Sequence, residues 1–339
     1  MKQPLAEIPV DPELSLGAYN AVHVCLRIQP TEKVTLITDE TSAEIAASLV
    51  REVEVVGAPY HFWELEGLVQ RPLLALPQPI LADLESSQVS IFAAQAQRGE
   101  LHARMQLTEV VNRRRIRHGH MVNINKQIMR EGMRADFRKV DEISVRVRDI
   151  ASSARSIRAR SAAGTEVTAR FNPKHRWIKT SGIIQPDKWG NLPGGEVFTS
   201  PEQVDGTFVV DGVVGDYLCS RFGDLQNEPL IIRVKASRLV EAHSSNRELE
   251  EEFWKYTHAD ENSDRVGEFA IGTNIALDHV IGHILQDEKI PGVHMAFGNP
   301  YAEHTGADWY SSTHIDVVGT RFDIWADDRQ VMREGQFLI

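Results

Sequence analysis

The stretch "KVTLITDETSAEIAASLVREVEVVG" (residues 33–57) joins a short apolar run to a helical repeat. The run predicts a buried strand. Thr41, three residues before Glu44, forms a helix-capping pattern, and apolar residues then recur at helical spacing over 45–53. Gly57 is placed to end that helix. A strand followed directly by a helix indicates an α/β fold.

The same alternation continues toward residue 125. Strands are predicted at "APYHFWEL" (58–65) and "QVSIFAAQ" (88–95), and a helix at "LHARMQLTEVVNRRR" (101–115). This order predicts a Rossmann-like α/β domain, with a mainly parallel sheet covered on both faces. The turn "TDETSAE" (38–44) lacks the glycines of the dinucleotide and P-loop motifs, so we expect no nucleotide cofactor.

A long charged helix is predicted over residues 126–154. After it, the sequence pattern changes from alternating strands and helices to short strand-like runs. Short alternating runs such as "GTFVVDGVV" (206–214) and "LIIRVKASRL" (230–239) are separated by turn signals. At 339 residues the chain is long enough for two cores. We therefore predict an N-terminal α/β domain at 1–150 and a β-rich α+β domain at 151–339.

Net charge and cysteine content restrict the partners, metal sites and cell compartment to be expected. The formal net charge of −11 argues against a nucleic acid or an anionic membrane as the main partner. Cys25 and Cys219 show no pairing pattern, which indicates a reducing compartment and argues against a cysteine-built zinc site. No signal-like or membrane-spanning apolar run is present, so a cytoplasmic location is expected.

Polar side chains interrupt the apolar runs of the second domain, and two of them, His314 and Asp316, share one strand face by their spacing. Burying an unpaired carboxylate is costly, and binding a metal is one remedy. Taken singly, each such residue is more often a turn carboxylate or a core histidine. Together they are nitrogen and oxygen ligands suited to a divalent ion. The set is Glu196, Glu268, His294, Tyr301, His314 and Asp316.

A second pair of histidines, His279 and His283 in "LDHVIGH" (277–283), has the i, i+4 spacing of the zincin helix. That motif needs a glutamate after the first histidine, and Val280 stands there instead. We interpret "NIALDHVIGHILQDE" (274–288) as an amphipathic helix with two peripheral histidines.

Five segments of the second domain, in chain order, resemble the metal-dependent aminopeptidases of the aminopeptidase T, aminopeptidase S and PepS type. They are "AAGTEVTARF" (162–171), "NLPGGEVFTSP" (191–201), "VGEFAIGTN" (266–274), "GVHMAFGNPY" (292–301) and "THIDVVG" (313–319). The resemblance implies that the six residues named above are metal ligands, with Glu268 and Tyr301 also taking part in catalysis. The segment between His294 and His314 is shorter than in those peptidases.

The resemblance also implies an activity. It is hydrolysis of an N-terminal amino acid from a peptide, or of a small amide, by water activated between two divalent ions. Zinc or cobalt is the expected metal, with manganese as another candidate, and the family implies a homodimer.

Two alternatives stay open. A shorter branch of the same superfamily resembles 2,5-dihydroxypyridine dioxygenase, which uses one ferrous ion. That branch has a histidine at the position of Glu268 and lacks the glutamate matching Glu196, so this sequence favours the hydrolases. The other alternative is a binding protein that has kept the fold and lost the chemistry.

Overall fold

The computed structural model describes residues 5–186 and 189–339 of the chain. The chain folds into two compact units. The first unit comprises Met1–Arg138 and Gly182–Gly194, and the second Lys139–Ser181 and Gly195–Ile339. Within the described ranges, no helix has both the length and the apolar character needed to cross a membrane.

The helices and strands of the described residues are given in chain order. The α-helices are α1 Ser15–Tyr19, α2 Ala43–Val56, α3 Leu65–Leu68, α4 Gln78–Leu84, α5 Leu101–Arg114, α6 Lys126–Arg130, α7 Phe137–Ser153, α8 Asp216–Phe222, α9 Arg247–Tyr256, α10 Ile284–Asp287 and α11 Ala302–Thr305. The strands are β1 Val34–Thr38, β2 Tyr60–Glu64, β3 Val89–Ala93, β4 Arg117–His120, β5 Ser156–Ser161, β6 Glu166–Arg170, β7 Ile178–Thr180, β8 Gly190–Asn191, β9 Glu196–Thr199, β10 Gln203–Val210, β11 Leu230–Lys235, β12 Arg238–His243, β13 Val266–Gly272, β14 Gly292–Gly298, β15 His314–Val318, β16 Phe322–Ala326, β17 Arg329–Arg333 and β18 Gln336–Phe337. Short 3₁₀ helices occupy Leu5–Glu7, Pro12–Leu14 and Gly132–Arg134, and Asn20–Cys25 forms a π-helix.

The first unit is built on a five-stranded parallel sheet in the order β2-β1-β3-β4-β8. Strands β1 and β3 are buried along their whole length, as expected for central strands of a parallel sheet. Helix α2 ends where the sequence predicts, since Gly57 has a left-handed backbone with φ 79°. The mixed α/β class is thus confirmed.

Polar groups at the carboxyl ends of β1 and β3 are drawn together by one arginine. The Arg71 side chain, 4% exposed, lies 2.9 Å from an oxygen of Asp39 and 2.5 Å from one of Glu100. The backbone N–H of Gln95 also donates to Asp39. Arg71 thus pairs with the carboxylates at the sheet edge where α/β folds often bind ligands.

The second unit contains two antiparallel sheets. One has eight strands in the order β12-β11-β10-β6-β5-β16-β17-β18, and the other has five in the order β15-β14-β13-β9-β7. Their facing side chains form one core, in which Phe208 and Ile324 of the larger sheet cluster with Phe269, Met295 and Val317 of the smaller sheet. These three residues of the smaller sheet alternate along their strands with residues of its opposite face, which carries the polar residues described below.

The structure differs from the sequence predictions in two helices. The helix expected over 126–154 is broken into α6, a 3₁₀ turn at Gly132–Arg134 and α7. The amphipathic helix expected over 274–288 is wrong, because only Ile284–Asp287 is helical. Val147 and Ala151 of α7 pack in the core of the second unit, and β8 pairs with β4 of the first unit.

Candidate metal centre

The five-stranded antiparallel sheet carries the candidate site on one face. In register, Glu268 of β13 and Asp316 of β15 both lie opposite Ala296 of β14. His294 lies two residues before Ala296, and His314 is paired with Gly298. Because side chains alternate between the faces of a strand, these groups project to the same side. The sheet thus brings residues 268, 294, 314 and 316 together, although they are far apart in sequence.

Small residues leave the space between these groups open. Glu196 is paired with Gly272, as His314 is with Gly298, and Ala296 separates Glu268 from Asp316. None of the three intervening residues has a side chain larger than a methyl group. The polar side chains therefore meet above a floor of backbone and methyl groups.

Glu196 is positioned by the glycine that precedes it. The backbone of Gly195 has φ 134°, and a Cβ there would lie 2.7 Å from the Cβ of Asn274. The N–H of Gly195 donates to the carbonyl of Thr180, and its own carbonyl accepts from Thr273. A larger residue at position 195 would strain the backbone and collide with Asn274. This explains the sequence "PGGE" (193–196), which leads into β9.

The nitrogen and oxygen atoms of the site converge at short distances. His294 Nε2 lies 3.4 Å from Glu268 Oε1 and 3.5 Å from Glu196 Oε2. His314 Nε2 lies 3.4 Å from Asp316 Oδ1 and 3.8 Å from Glu268 Oε2. Ligands about 2.0–2.2 Å from a tetrahedrally bound metal lie about 3.3–3.6 Å from one another. Three of the four distances fall in this range, as in a set of atoms arranged around an ion.

Burial makes the set costly without an ion. Glu196 is 7% exposed, Glu268 5% and His294 1%. Among the described residues, the buried His294 Nε2 makes no hydrogen bond, although buried polar atoms normally have a partner. The donor set of imidazoles and carboxylates suits a divalent cation. The residues present thus fit a metal.

The pKa shifts of the site also favour a bound cation. Burial alone would lower the pKa of His314, but the nearby carboxylates of Asp316 and Glu268 raise it to about 10. Burial raises the pKa of the Glu268 carboxyl, and the two histidines only partly offset this. The shift of His314 reflects the negative charge around it, and the shift of Glu268 reflects the cost of burying a carboxylate; a bound cation would offset both.

His314 is held in the tautomer that a metal ligand needs. Its Nδ1 donates a hydrogen bond of 2.9 Å to the carbonyl oxygen of Asn299. That bond leaves Nε2, the atom facing the carboxylates, without a proton in the neutral ring. Fixing one ring nitrogen through a backbone carbonyl is a common arrangement around metal-binding histidines.

Tyr301 lies at the edge of the same group. It precedes α11 with a left-handed backbone, φ 48°, and its N–H donates to Asn299 Oδ1. Its ring centroid is 4.7 Å from that of His314, and the residue is 37% exposed. Burial of the hydroxyl and the neighbouring carboxylates raise the pKa of Tyr301, which favours the neutral phenol.

Sequence reasoning missed two residues of the site, Glu288 and Lys289. Possible ligand atoms of Glu288, His294 and Asp316 lie within 4.8 Å of one another. Lys289 Nζ lies 2.8 Å from Glu196 Oε1 and 2.5 Å from Glu288 Oε1. Glu288 and Lys289 form a charged pair shortly before the buried strand β14, and such a pair can indicate a functional site. The amphipathic helix predicted over 274–288 instead places the pair at the end of that helix.

The two zincin-spaced histidines lie outside these groups. His279 has a side chain that is 59% exposed and is paired with Asp278. His283 precedes α10 as its N-cap, so the two histidines do not share a helix. In the ranges 5–186 and 189–339, the groups of potential ligands include neither of them.

Comparison with known families agrees with this geometry. Residues 128–337, more than half of the chain, match the model of the thermophilic metalloprotease (M29) family. The chain belongs to the thermophilic metalloprotease (M29) family. The match spans all the strands that carry the candidate ligands. Membership in M29 identifies a metal-dependent hydrolytic enzyme and confirms the aminopeptidase-type resemblance of the second half of the sequence.

Two solved structures share the fold across nearly the whole chain. Wild-type AmpT from Thermus thermophilus is 16% identical with a TM-score of 0.72, over 96% of this chain and 99% of that one. A 2,5-dihydroxypyridine dioxygenase from Pseudomonas putida KT2440 is also 16% identical, with a TM-score of 0.69 over 97% and 98%. Identities this low establish the common fold only. No curated protein sequence matches this M29 member significantly.

Proposed function

We propose that this M29 member is an aminopeptidase-type hydrolase that removes an N-terminal amino acid from a peptide or cleaves a small amide. One observation carries the proposal. The buried Nε2 of His294 has no hydrogen bond among the described residues and faces the carboxylates of Glu268 and Glu196 at 3.4 and 3.5 Å. A cation bound beside Glu268 would give this nitrogen a partner.

The proposed ligands are the imidazoles of His294 and His314 and the carboxylates around them. Glu268, Asp316 and Glu196 supply oxygen atoms, and Tyr301 completes the predicted set at its edge. A divalent ion held there would polarise a scissile carbonyl and lower the pKa of a water molecule. Zinc, cobalt or manganese is the expected metal.

The side chains of the site have separable roles. Glu268 is buried, and burial raises its pKa, so its carboxylate is suited to accept a proton from the attacking water and pass it to the leaving amine. The phenol of Tyr301, neutral and partly exposed, can donate a hydrogen bond to the oxygen that gains charge. A neighbouring acidic group can bind the free amine of the substrate, which would restrict cleavage to the N-terminal bond.

Several finer expectations belong to the same proposal. We propose that the catalytic domain extends over 151–339 and that the N-terminal domain at 1–150 is a Rossmann-like scaffold without a phosphate loop. The parallel order of β2-β1-β3-β4 supports that scaffold. A homodimer and a cytoplasmic location stay predictions.

One observation favours a second candidate, a mononuclear iron oxygenase. His294, His314 and a carboxylate approach one another as two imidazoles and one carboxylate, which is the ligand set of non-haem iron oxygenases. The glutamate at position 268, where the dioxygenase branch has a histidine, weighs against this candidate.

Metal removal tests the proposed hydrolase. The protein is treated with a chelator, and release of free amino acid from leucine or alanine amide is measured before and after zinc, cobalt or manganese is returned. We expect activity to be lost and then restored, while circular dichroism stays unchanged because the core does not depend on the metal. Full activity in the chelated protein would refute the proposal.

A further inference from the structure

Lys289 is a buried cation inside the candidate metal centre. Its side chain is 1% exposed, and its ammonium lies 2.8 Å from Glu196 Oε1 and 2.5 Å from Glu288 Oε1. A fully buried lysine is rare and persists when it is paired. Here the ammonium already satisfies two carboxylates that would otherwise be free to bind an ion.

The backbone fixes Lys289 at this place. The residue lies in the turn between α10 and β14, where its N–H donates to the carbonyl of Gln286 and its carbonyl accepts from the N–H of Asn274. The neighbouring strand approaches closely because of Gly272, where a Cβ would lie 1.9 Å from the carbonyl oxygen of Ile290. Any side chain at position 272 would push this turn, and with it Lys289, away from the site.

The ammonium competes with a metal for the same oxygen atoms. Glu196 Oε1 accepts hydrogen bonds from both Lys289 Nζ and the hydroxyl of Thr180, the latter at 2.7 Å. Two donors leave that oxygen little capacity for an ion. A divalent ion bound to Glu196 or to Glu288 would also lie within a few ångströms of the ammonium, where like charges repel strongly in a buried space.

We propose that Lys289 takes the place of one of the two cations, so that the centre binds a single divalent ion. The ion is held by His294, Glu268, His314 and Asp316, where the carboxylates have imidazoles rather than an ammonium as neighbours. Glu196 and Glu288 then serve to hold the lysine. This inference rests on the proposed metal centre and revises two expectations, the second ion and Glu196 as a ligand.

The test is the number of ions bound. The full-length protein is saturated with zinc or, separately, with manganese, freed of excess ion by dialysis, and measured by elemental analysis and by isothermal titration calorimetry. We expect one equivalent in the wild-type protein. In Lys289→Ala, the freed carboxylates and the space left by the side chain admit a second ion, and we expect two equivalents.

Glu288→Gln is a second test of the number of ions, which can be used if Lys289→Ala does not fold. Glutamine keeps a hydrogen bond to the ammonium, and a one-ion centre predicts that the variant still binds one equivalent. If Glu288 held a second ion, stoichiometry would instead drop from two to one. Circular dichroism of each variant checks the fold.

The possible outcomes separate this inference from the proposed function. Two equivalents in the wild-type protein, or one equivalent in a folded Lys289→Ala variant, would overturn the role of Lys289 and leave the metal centre standing. No bound metal in the wild-type protein at saturating ion would overturn the centre itself. One equivalent in wild type and two in Lys289→Ala support both.

Discussion

Glu268 and Asp316 lie directly opposite the same residue, Ala296, from the two strands that flank β14. The methyl group between two carboxylates leaves the room in which His294 and His314 reach them. Backbone register alone therefore sets the width of the candidate centre. Any larger side chain at position 296 would occupy the space proposed for the ion.

Ala296→Val tests that relationship. The added methyl groups project toward the centre, so we expect metal affinity to fall by about tenfold or more, beyond a general packing cost of about 1–3 kcal/mol. Ala159→Val is the matched control, because it overpacks a fully buried alanine of β5 in the larger sheet. Calorimetric titration of both folded variants decides. Equal metal affinity in the two variants would argue against the register-defined centre.

Asp316→Ala is expected to abolish metal binding and lower amide hydrolysis by about 100-fold or more, because it removes a proposed ligand paired with His314. His279→Ala serves as control, since that histidine is exposed and lies outside the candidate centre. Metal content and turnover are measured side by side. Loss of metal in His279→Ala, with metal retained in Asp316→Ala, would contradict the ligand assignment.

Much of the first unit could be predicted from the sequence because its signals are local. The buried run at β1, the helical repeat of α2 and Gly57 each act within one element. The candidate ligands are predictable from polar residues that interrupt apolar strands and from the spacing of His314 and Asp316.

The rest depends on contacts that no local pattern encodes. Lys289 meets Glu196 only because β9, β13 and β14 are neighbours in the sheet, across more than ninety positions of sequence. Helical spacing over 274–288 is misleading, since Gly282 has a left-handed φ of 76° and the backbone N–H groups of Ile281 and His283 donate to Asp287. Hydrogen bonds from the backbone to the Asp287 side chain replace helical hydrogen bonds there.

Asp260 anchors the segment that leads into β15 and gives a pH-dependent prediction. Its carboxylate accepts hydrogen bonds from Ser311, Ser312 and Asn262. Burial alone would raise the pKa of Asp260, but these hydrogen bonds hold it well below its usual value. A carboxyl with a lowered folded-state pKa stabilises the fold above its unfolded pKa of about 3.9, and this contribution is lost on acidification.

Asp260→Asn should therefore be less stable than wild type at pH 7, with a deficit that stays constant down to about pH 4 and shrinks below it. Urea unfolding at several pH values measures the free energy of unfolding of each protein. The control is Glu251→Gln, which removes a carboxylate from the exposed face of α9. A deficit that stays constant from pH 7 to pH 3 would contradict the proposed anchoring.

Glu268→His separates proton transfer from metal binding. An imidazole at position 268 can still bind an ion but removes the buried carboxylate proposed to accept a proton, so we expect hydrolysis to fall by about 100-fold or more. Glu241→His, on an exposed position of β12, is the control. Hydrolysis at the wild-type rate in Glu268→His would eliminate the proposed role of Glu268.

The most direct test of a metal-dependent hydrolase on this fold is a paired assay of the wild-type protein. One arm measures free amino acid released from leucine or alanine amide with zinc, cobalt or manganese. The other measures oxygen uptake with ferrous iron and a dihydroxypyridine. We predict amide hydrolysis in the first arm and no oxygen uptake in the second. Oxygen uptake without any amide hydrolysis would contradict the hydrolase and establish the oxygenase in its place.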